Sequence, residues 1–113
     1  MAAWDYLSKK GYKILDKNYR CKIGEIDVVA KKKGQIVFIE IKTRTSADFG
    51  DPEESVHPFK RRKLVRLAEW YLKDKKLEDS SARFDVVSIL WKDSGDPEIR
   101  LIENAFSVDN ESR

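Results

Sequence analysis

The stretch Gly24-Glu25-Ile26-Asp27-Val28-Val29-Ala30-Lys31-Lys32-Lys33-Gly34-Gln35-Ile36-Val37-Phe38-Ile39-Glu40-Ile41-Lys42 decides the reading of this chain. Two short apolar runs flank a Lys32-Lys33-Gly34 joint, too brief for anything but a hairpin. The pattern predicts strands over 25–31 and 35–42. Each strand carries a carboxylate within its apolar run, Asp27 in one and Glu40 in the other. An ionised carboxylate in a buried strand is costly unless it is paired or metal-bound.

Hairpin geometry sharpens this. With the turn centred near residues 32–34, Asp27 lies opposite Phe38 or Glu40. In either register the two carboxylates share a face, with Cβ atoms roughly 5–8 Å apart. Lys42 lies two residues beyond Glu40, so it shares that face with Ile36 and Phe38. A slip of one residue would separate the carboxylates. Two carboxylates and an ammonium suit a Mg²⁺-dependent phosphodiester hydrolase, because hard oxygens hold the ion while a lysine orients or deprotonates water. The same three residues would equally make a salt bridge on a half-exposed sheet face.

Outward from the hairpin, residues 12–21 read as a preceding strand, joined by Lys22-Ile23-Gly24. Residues 2–10 read as the end of an amphipathic helix stopped by Gly11. Residues 43–57 are polar and contain Gly50 and Pro52, so a loop with room for one helical turn is expected there. Pro58 then opens a helix whose Leu64, Leu67, Ala68, Tyr71 and Leu72 line one face. A charged connection over 74–82, a strand from Phe84 to Trp91, a turn from Lys92 to Pro97 and a strand from Ile99 to Glu103 complete the chain. One domain over 1–106 is expected, with a disordered tail over 107–113. A long helix between the third and fourth strands predicts a mixed α/β sheet flanked by helices rather than a barrel.

Composition narrows the chemistry. With 113 residues, 41% hydrophobic and 38% charged, the chain is sized for a single core under a charged surface. One cysteine, Cys21, excludes an internal disulfide and a cysteine-rich zinc site. One histidine, His57, excludes a multi-histidine metal centre and reads as a helix-start residue beside Pro58. The longest apolar run stops at Glu40, and the start lacks a signal-peptide pattern, so the cytoplasm is the expected location. Twenty-three Lys and Arg against 20 Asp and Glu give +3, compatible with a nucleic-acid partner.

Beyond these patterns, the sequence resembles the YraN-like uncharacterised protein family. The resemblance rests on Gly24 to Ala30, Val37 to Arg44, Gly11-Tyr12 with Ile14-Leu15 and Asn18, and Phe49-Gly50. It continues through Val56, Lys60 and Leu64, then Arg83 to Val87 and Asn104-Ala105-Phe106, and covers residues 6–106. That family is grouped with the restriction-endonuclease-like PD-(D/E)xK superfamily and is similar to archaeal Holliday junction resolvases. The resemblance implies an αβββαβ core with Asp27, Glu40 and Lys42 as catalytic residues. It implies Mg²⁺ or Mn²⁺ as cofactor and cleavage leaving a 5′-phosphate. Relatives usually carry a Gly-Glu pair early in the first helix, whose glutamate can join the site; this sequence begins past it, and the expectation is either weaker metal binding or a shortened chain. Glu25 is a further candidate metal contact or a salt-bridge partner.

Arg20, Arg44 and Lys60 are candidate nucleic-acid contacts, with solvated charge as the alternative for the two arginines. Lys60 either reaches past the helix end toward the site or lays its stem along the apolar stripe. Arg61, Arg62, Lys63 and Arg66 read as a basic helix surface, for DNA or for solubility. Trp70, Tyr71, Phe84, Trp91 and Phe106 read as core or edge packing, and Asp85 as the partner of a local Arg or Lys. The leading expectation is a metal-dependent endonuclease acting on DNA, including branched DNA, and a homodimer by analogy. The alternatives are a non-catalytic nucleic-acid-binding module of the same fold and a protein-interaction domain, separable by the salt dependence of DNA binding.

Overall fold

The computed structural model describes residues 2–45, 58–93 and 95–107. The elements run α1 (Ala2–Lys9), β1 (Lys13–Cys21), β2 (Gly24–Lys32), β3 (Gln35–Thr45), α2 (Pro58–Asp74), β4 (Ala82–Trp91) and β5 (Glu98–Ser107). They form one five-stranded sheet in the order β1-β2-β3-β4-β5. The first three strands make the expected antiparallel meander. The connection containing α2 then returns β4 parallel to β3, and β5 closes the edge antiparallel to β4. This is the expected mixed α/β sheet, compatible with a restriction-endonuclease-like core.

A two-residue turn sets the central register. Lys32 pairs with Gln35, and Lys33 (φ 50°) and Gly34 (φ 79°) between them both occupy the left-handed region. That combination gives a turn whose twist matches the flanking strands. From it follow the pairs Ala30↔Val37, Val29↔Phe38 and Val28↔Ile39.

Each face of the sheet has its own core. On one side Leu64, Val65, Leu67, Ala68, Tyr71 and Leu72 of α2 pack on Ile36 and Phe38 of β3 and Phe84 and Val86 of β4. Tyr71 anchors this layer, edge-on to Phe38 and Tyr19, with its hydroxyl donating to Asp16 Oδ2 at 2.7 Å. On the other side Ala3 and Leu7 of α1 pack with Tyr12, Val37, Ile39, Val87 and Ile89. Among the described residues no helix is long and apolar enough to cross a membrane.

The strand ends differ in detail from the expectation. β3 continues to Thr45, and β5 runs from Glu98 to Ser107, past the expected end at Glu103 and into the expected tail. A break in pairing between Phe84 and Val86, with Asn104 at φ 51°, lets β5 kink and continue, a feature that no period-two pattern reveals. Residues 46–57, with His57, and residues 108–113 lie outside the described residues. Tyr71 and Phe84 are core residues, whereas Trp70 and Trp91 are 40% and 51% exposed and do not pack inside. The side chain of Phe106 lies outside the described residues.

Asp85 is fully buried on the α1 face and is neutralised there. Arg83 grips it with Nε at 3.0 Å and a terminal nitrogen at 3.2 Å, the Tyr12 hydroxyl donates at 2.6 Å, and the Asn104 amide donates at 2.8 Å. Burial, followed by the Asp85 carboxylate, pushes the Tyr12 hydroxyl far above its ordinary range, so it stays a donor at any physiological pH. Asp85→Ala should therefore destabilise the fold by about 3–5 kcal/mol, because it strands Arg83 beside a cavity. Urea denaturation at neutral pH measures this; a loss below about 1 kcal/mol would deny the network a structural role.

Candidate functional site

The β2–β3 ladder stops at Val28↔Ile39, while β2 stays paired to β1 as far as Cys21↔Gly24. The two central strands therefore part where the carboxylates sit. Side-chain alternation along β2 fails at the same point. Ile26 packs in the α2-side core and Val28 in the α1-side core, although residues two apart in a regular strand share a face. On β1 the pairs Lys17↔Val28 and Tyr19↔Ile26 bring Asn18 level with Asp27, and Asn18 adopts φ 53°. The irregularity thus spans both strands.

Asp27 fills the gap. Ile36 donates its amide to Ser81 on the β4 side, so the odd-numbered amides of β3 point toward β2. A continued ladder would pair the Ile41 amide with β2 backbone. It donates instead to Asp27 Oδ2 at 2.8 Å.

Glu40 and Lys42 follow Ile36 and Phe38 onto the face covered by α2. Lys60, in the first turn of α2, brings Nζ to 2.7 Å from Glu40 Oε1, and Lys42 Nζ lies 3.5 Å from the same oxygen. The Glu40 side chain is only 15% exposed. Of the two readings of Lys60, the structure takes the one in which it reaches the site.

The charges perturb one another. Burial pushes the Asp27 carboxyl above its ordinary range, the Ile41 amide pulls it back, and the charges of Glu40 and Glu25 raise it again. Burial lowers the Lys42 ammonium, and the adjacent Lys60 lowers it further, with Glu40 offsetting part of the effect. Burial alone would lower Lys60, but its contact with Glu40, its neighbour Lys42 and the charge of Asp27 together outweigh that, so it holds its proton more tightly than usual. The two neighbouring ammonium groups are thus shifted in opposite directions.

The other candidates are placed differently. Glu25 does not follow Asp27 onto a regular face; it lies opposite Arg20 and pairs with its Nε at 3.0 Å on an exposed surface. Arg20 and Glu25 thus occupy each other. Arg44 is half-buried, two residues beyond Lys42 and opposite Leu90. Cys21 is half-buried and packs against the α2-side core. One residue escaped the sequence reading. Ser88 is 5% exposed, in register with Lys42 and on the same side as Phe84 and Val86. Its parity with those two residues was the available signal.

The donor set is compatible with a divalent cation. Among the described residues no three His, Cys, Asp or Glu side chains gather at one point, so protein donors would be Asp27 and Glu40 alone. Mg²⁺ is commonly held by one or two carboxylates, retaining several waters. Glu40's charge raises Asp27, which a cation beside both would relieve, and Glu40 already accepts a cationic group from Lys60.

Residues 1–89 match the family model described as uncharacterised protein family UPF0102. The chain belongs to this family. The matched span takes in Asp27, Glu40, Lys42, Lys60 and Ser88 and ends before β5. Similar UPF0102 proteins include one from Caldanaerobacter subterraneus subsp. tengcongensis, 52% identical over 87 residues, covering 77% of this chain and 71% of that protein. Another from Pelobacter propionicus is 44% identical over 108 residues, covering 94% of this chain and 77% of that one. A third, from Lachnoclostridium phytofermentans, is 48% identical over 107 residues, covering 94% and 86%.

The raised Asp27 carboxyl has a consequence for stability. A group raised on folding contributes most below its unfolded value and loses that contribution as pH rises through the folded value. Asp27→Asn keeps an acceptor for the Ile41 amide and removes the desolvated charge. This variant should melt at or above the wild-type temperature at pH 7, and the difference should vanish as pH falls toward 3.8. Asp27→Ala, which abandons the Ile41 amide, should be less stable than Asp27→Asn by about 1 kcal/mol. Calorimetric melts between pH 4 and pH 7 check both.

Proposed function

We propose that this UPF0102 protein is a metal-dependent endonuclease of the restriction-endonuclease-like, PD-(D/E)xK type that binds DNA, including branched DNA, and hydrolyses its phosphodiesters. One observation carries the reading: Asp27, Glu40, Lys42 and Lys60 converge where β2 and β3 part. The likeness to archaeal Holliday junction resolvases is part of this proposal, as are a cytoplasmic location and a homodimer.

Asp27 and Glu40 would hold Mg²⁺ or Mn²⁺. When bound, the ion would supply Lewis-acid polarisation of the phosphoryl group and offset its negative charge. Lys42, whose ammonium is destabilised by burial and by Lys60, would be available more often than an ordinary lysine as the neutral amine that takes a proton from the attacking water. Lys60 keeps its proton, orients Glu40 through the 2.7 Å contact and presents positive charge to a phosphate. The Ile41 amide fixes the Asp27 carboxylate, so both carboxylates are orientated before any ligand arrives. Arg44 extends the basic side of the cluster along β3 and is assigned to backbone contact.

A second reading has its own support. Glu40 is already engaged by two ammonium groups, an arrangement that leaves net positive charge and would serve a nucleic-acid-binding module without catalysis. Cleavage of labelled linear, single-stranded and four-way-junction DNA with Mg²⁺ or Mn²⁺ separates the two. Asp27→Asn and Lys42→Ala should each cut at least about 100-fold more slowly than wild type, within the range of general acid–base effects. Absence of cutting above the variants' background, with salt-sensitive binding intact, would transfer the assignment to the non-catalytic module.

A further inference from the structure

Basic side chains in several parts of this molecule are matched by acids: Arg20 by Glu25, Lys32 by Glu103, Lys92 by Glu98. The outer face of α2 is different. Arg62, Lys63 and Arg66 are exposed, and among the described residues none of them has an ion-pair partner. They line an open cleft of about 350 Å³ with Ile23, a β1–β2 turn residue that is 38% exposed. The turn sits close under the helix: a Cβ added at Gly24, which has φ +151°, would lie 3.4 Å from Leu67 and from the Lys63 stem. One further turn along, Trp70 stands 40% exposed, and with Lys73 and Asp74 it lines a second hollow. The Asp74 carboxylate there accepts the Tyr19 hydroxyl at 3.0 Å.

The spacing makes these residues one track. Arg62, Arg66, Trp70 and Lys73 recur at i, i+4, i+8 and i+11, a single helical stripe about 16 Å long. It starts two residues after Lys60, whose ammonium belongs to the Asp27–Glu40 cluster. The apolar face of α2 is consumed by the sheet, so its outer face offers isolated flat or branched apolar groups among cations. That suits a flexible polyanion with stacking faces better than a lipid surface, which requires a continuous apolar band.

We infer that the outer face of α2 and the Lys22-Ile23 turn form a binding track for unpaired nucleic acid, its phosphates on Arg62, Lys63 and Arg66 and a base stacked on Trp70. The track rests on the nucleic-acid reading of the neighbouring site and specifies its substrate: a strand with a single-stranded segment next to the reacting position. Duplex DNA has no free base face to offer Trp70 and gains only the charge contacts.

Fluorescence anisotropy with labelled (dT)12 and a 12-base-pair duplex, in EDTA across 50–200 mM salt, tests the track independently of cleavage. Wild type should bind (dT)12 more tightly than the duplex. The Arg62→Ala/Arg66→Ala double variant should bind both at least tenfold more weakly, with the single-strand salt slope reduced by about 1.4. Trp70→Ala should lose about tenfold for (dT)12 alone with the slope unchanged, and Trp70→Phe should recover most of it. Thermal melts of each variant guard against unfolding. Wild-type-like binding by the α2 variants, equal losses on duplex and single strand for Trp70→Ala, or preferential capture by anionic phospholipid vesicles would overturn the track. A protein that cuts with neutral α2 variants would keep the nuclease and lose the track, and one that binds through α2 without cutting would do the reverse.

Discussion

The register of the β2–β3 hairpin is the constraint on which this structure depends. Lys33 and Gly34, both left-handed, close a turn that admits one pairing, and Val28↔Ile39 is its last rung. One residue of slip would exchange the two cores, sending Phe38 toward α1 and Val37 toward α2. The same slip would carry Glu40 and Lys42 away from Lys60. The packing energy of both cores therefore holds the polar cluster in place, although no member of the cluster contributes much to that energy.

The two faces of the sheet divide the work. On the α1 face, Asp85 is buried with every partner it needs, and the result is rigid. On the α2 face, the carboxylates and lysines are held less symmetrically: Asp27 is raised, Lys42 is lowered and Lys60 is raised. Opposed shifts in adjacent groups are a pattern that active sites share with structural ion-pair networks. Strand β4 joins the two, with Asp85 turned to one side and Ser88 to the other.

Much of this was legible in the sequence because period-two alternation and the i, i+3, i+4 stripe report burial directly. The element order, the antiparallel meander, the α2 core face and the grouping of Glu40 with Lys42 all follow from such patterns. Three things did not. The alternation fails at Asp27 through a break shared with Asn18, and a backbone break leaves no mark on hydrophobic spacing. The ion pair of Glu25 with Arg20 depends on the β1–β2 register, set by a turn without a distinctive dipeptide. Trp70 looks like core by residue type, yet Arg66 four residues before it marks the outer stripe. For aromatic residues on a helix, the phase relative to Leu64, Leu67 and Tyr71 was the better guide than hydrophobicity.

The Tyr12–Asp85 hydrogen bond spans 73 residues, and the Asn104 amide that completes the Asp85 cage lies 19 residues further on. Closing so long a loop costs conformational entropy before any contact repays it. During synthesis the meander and α2 are available long before β5, so Asp85 must wait, partly neutralised by Arg83, for the final strand to supply its last donor. Ile99 and Leu101 of β5 pack against the core that also holds Ala3 and Leu7 of α1, so pairing of that strand completes the seat of the helix. Order in α1 is therefore coupled to the described strand that lies farthest from it along the chain.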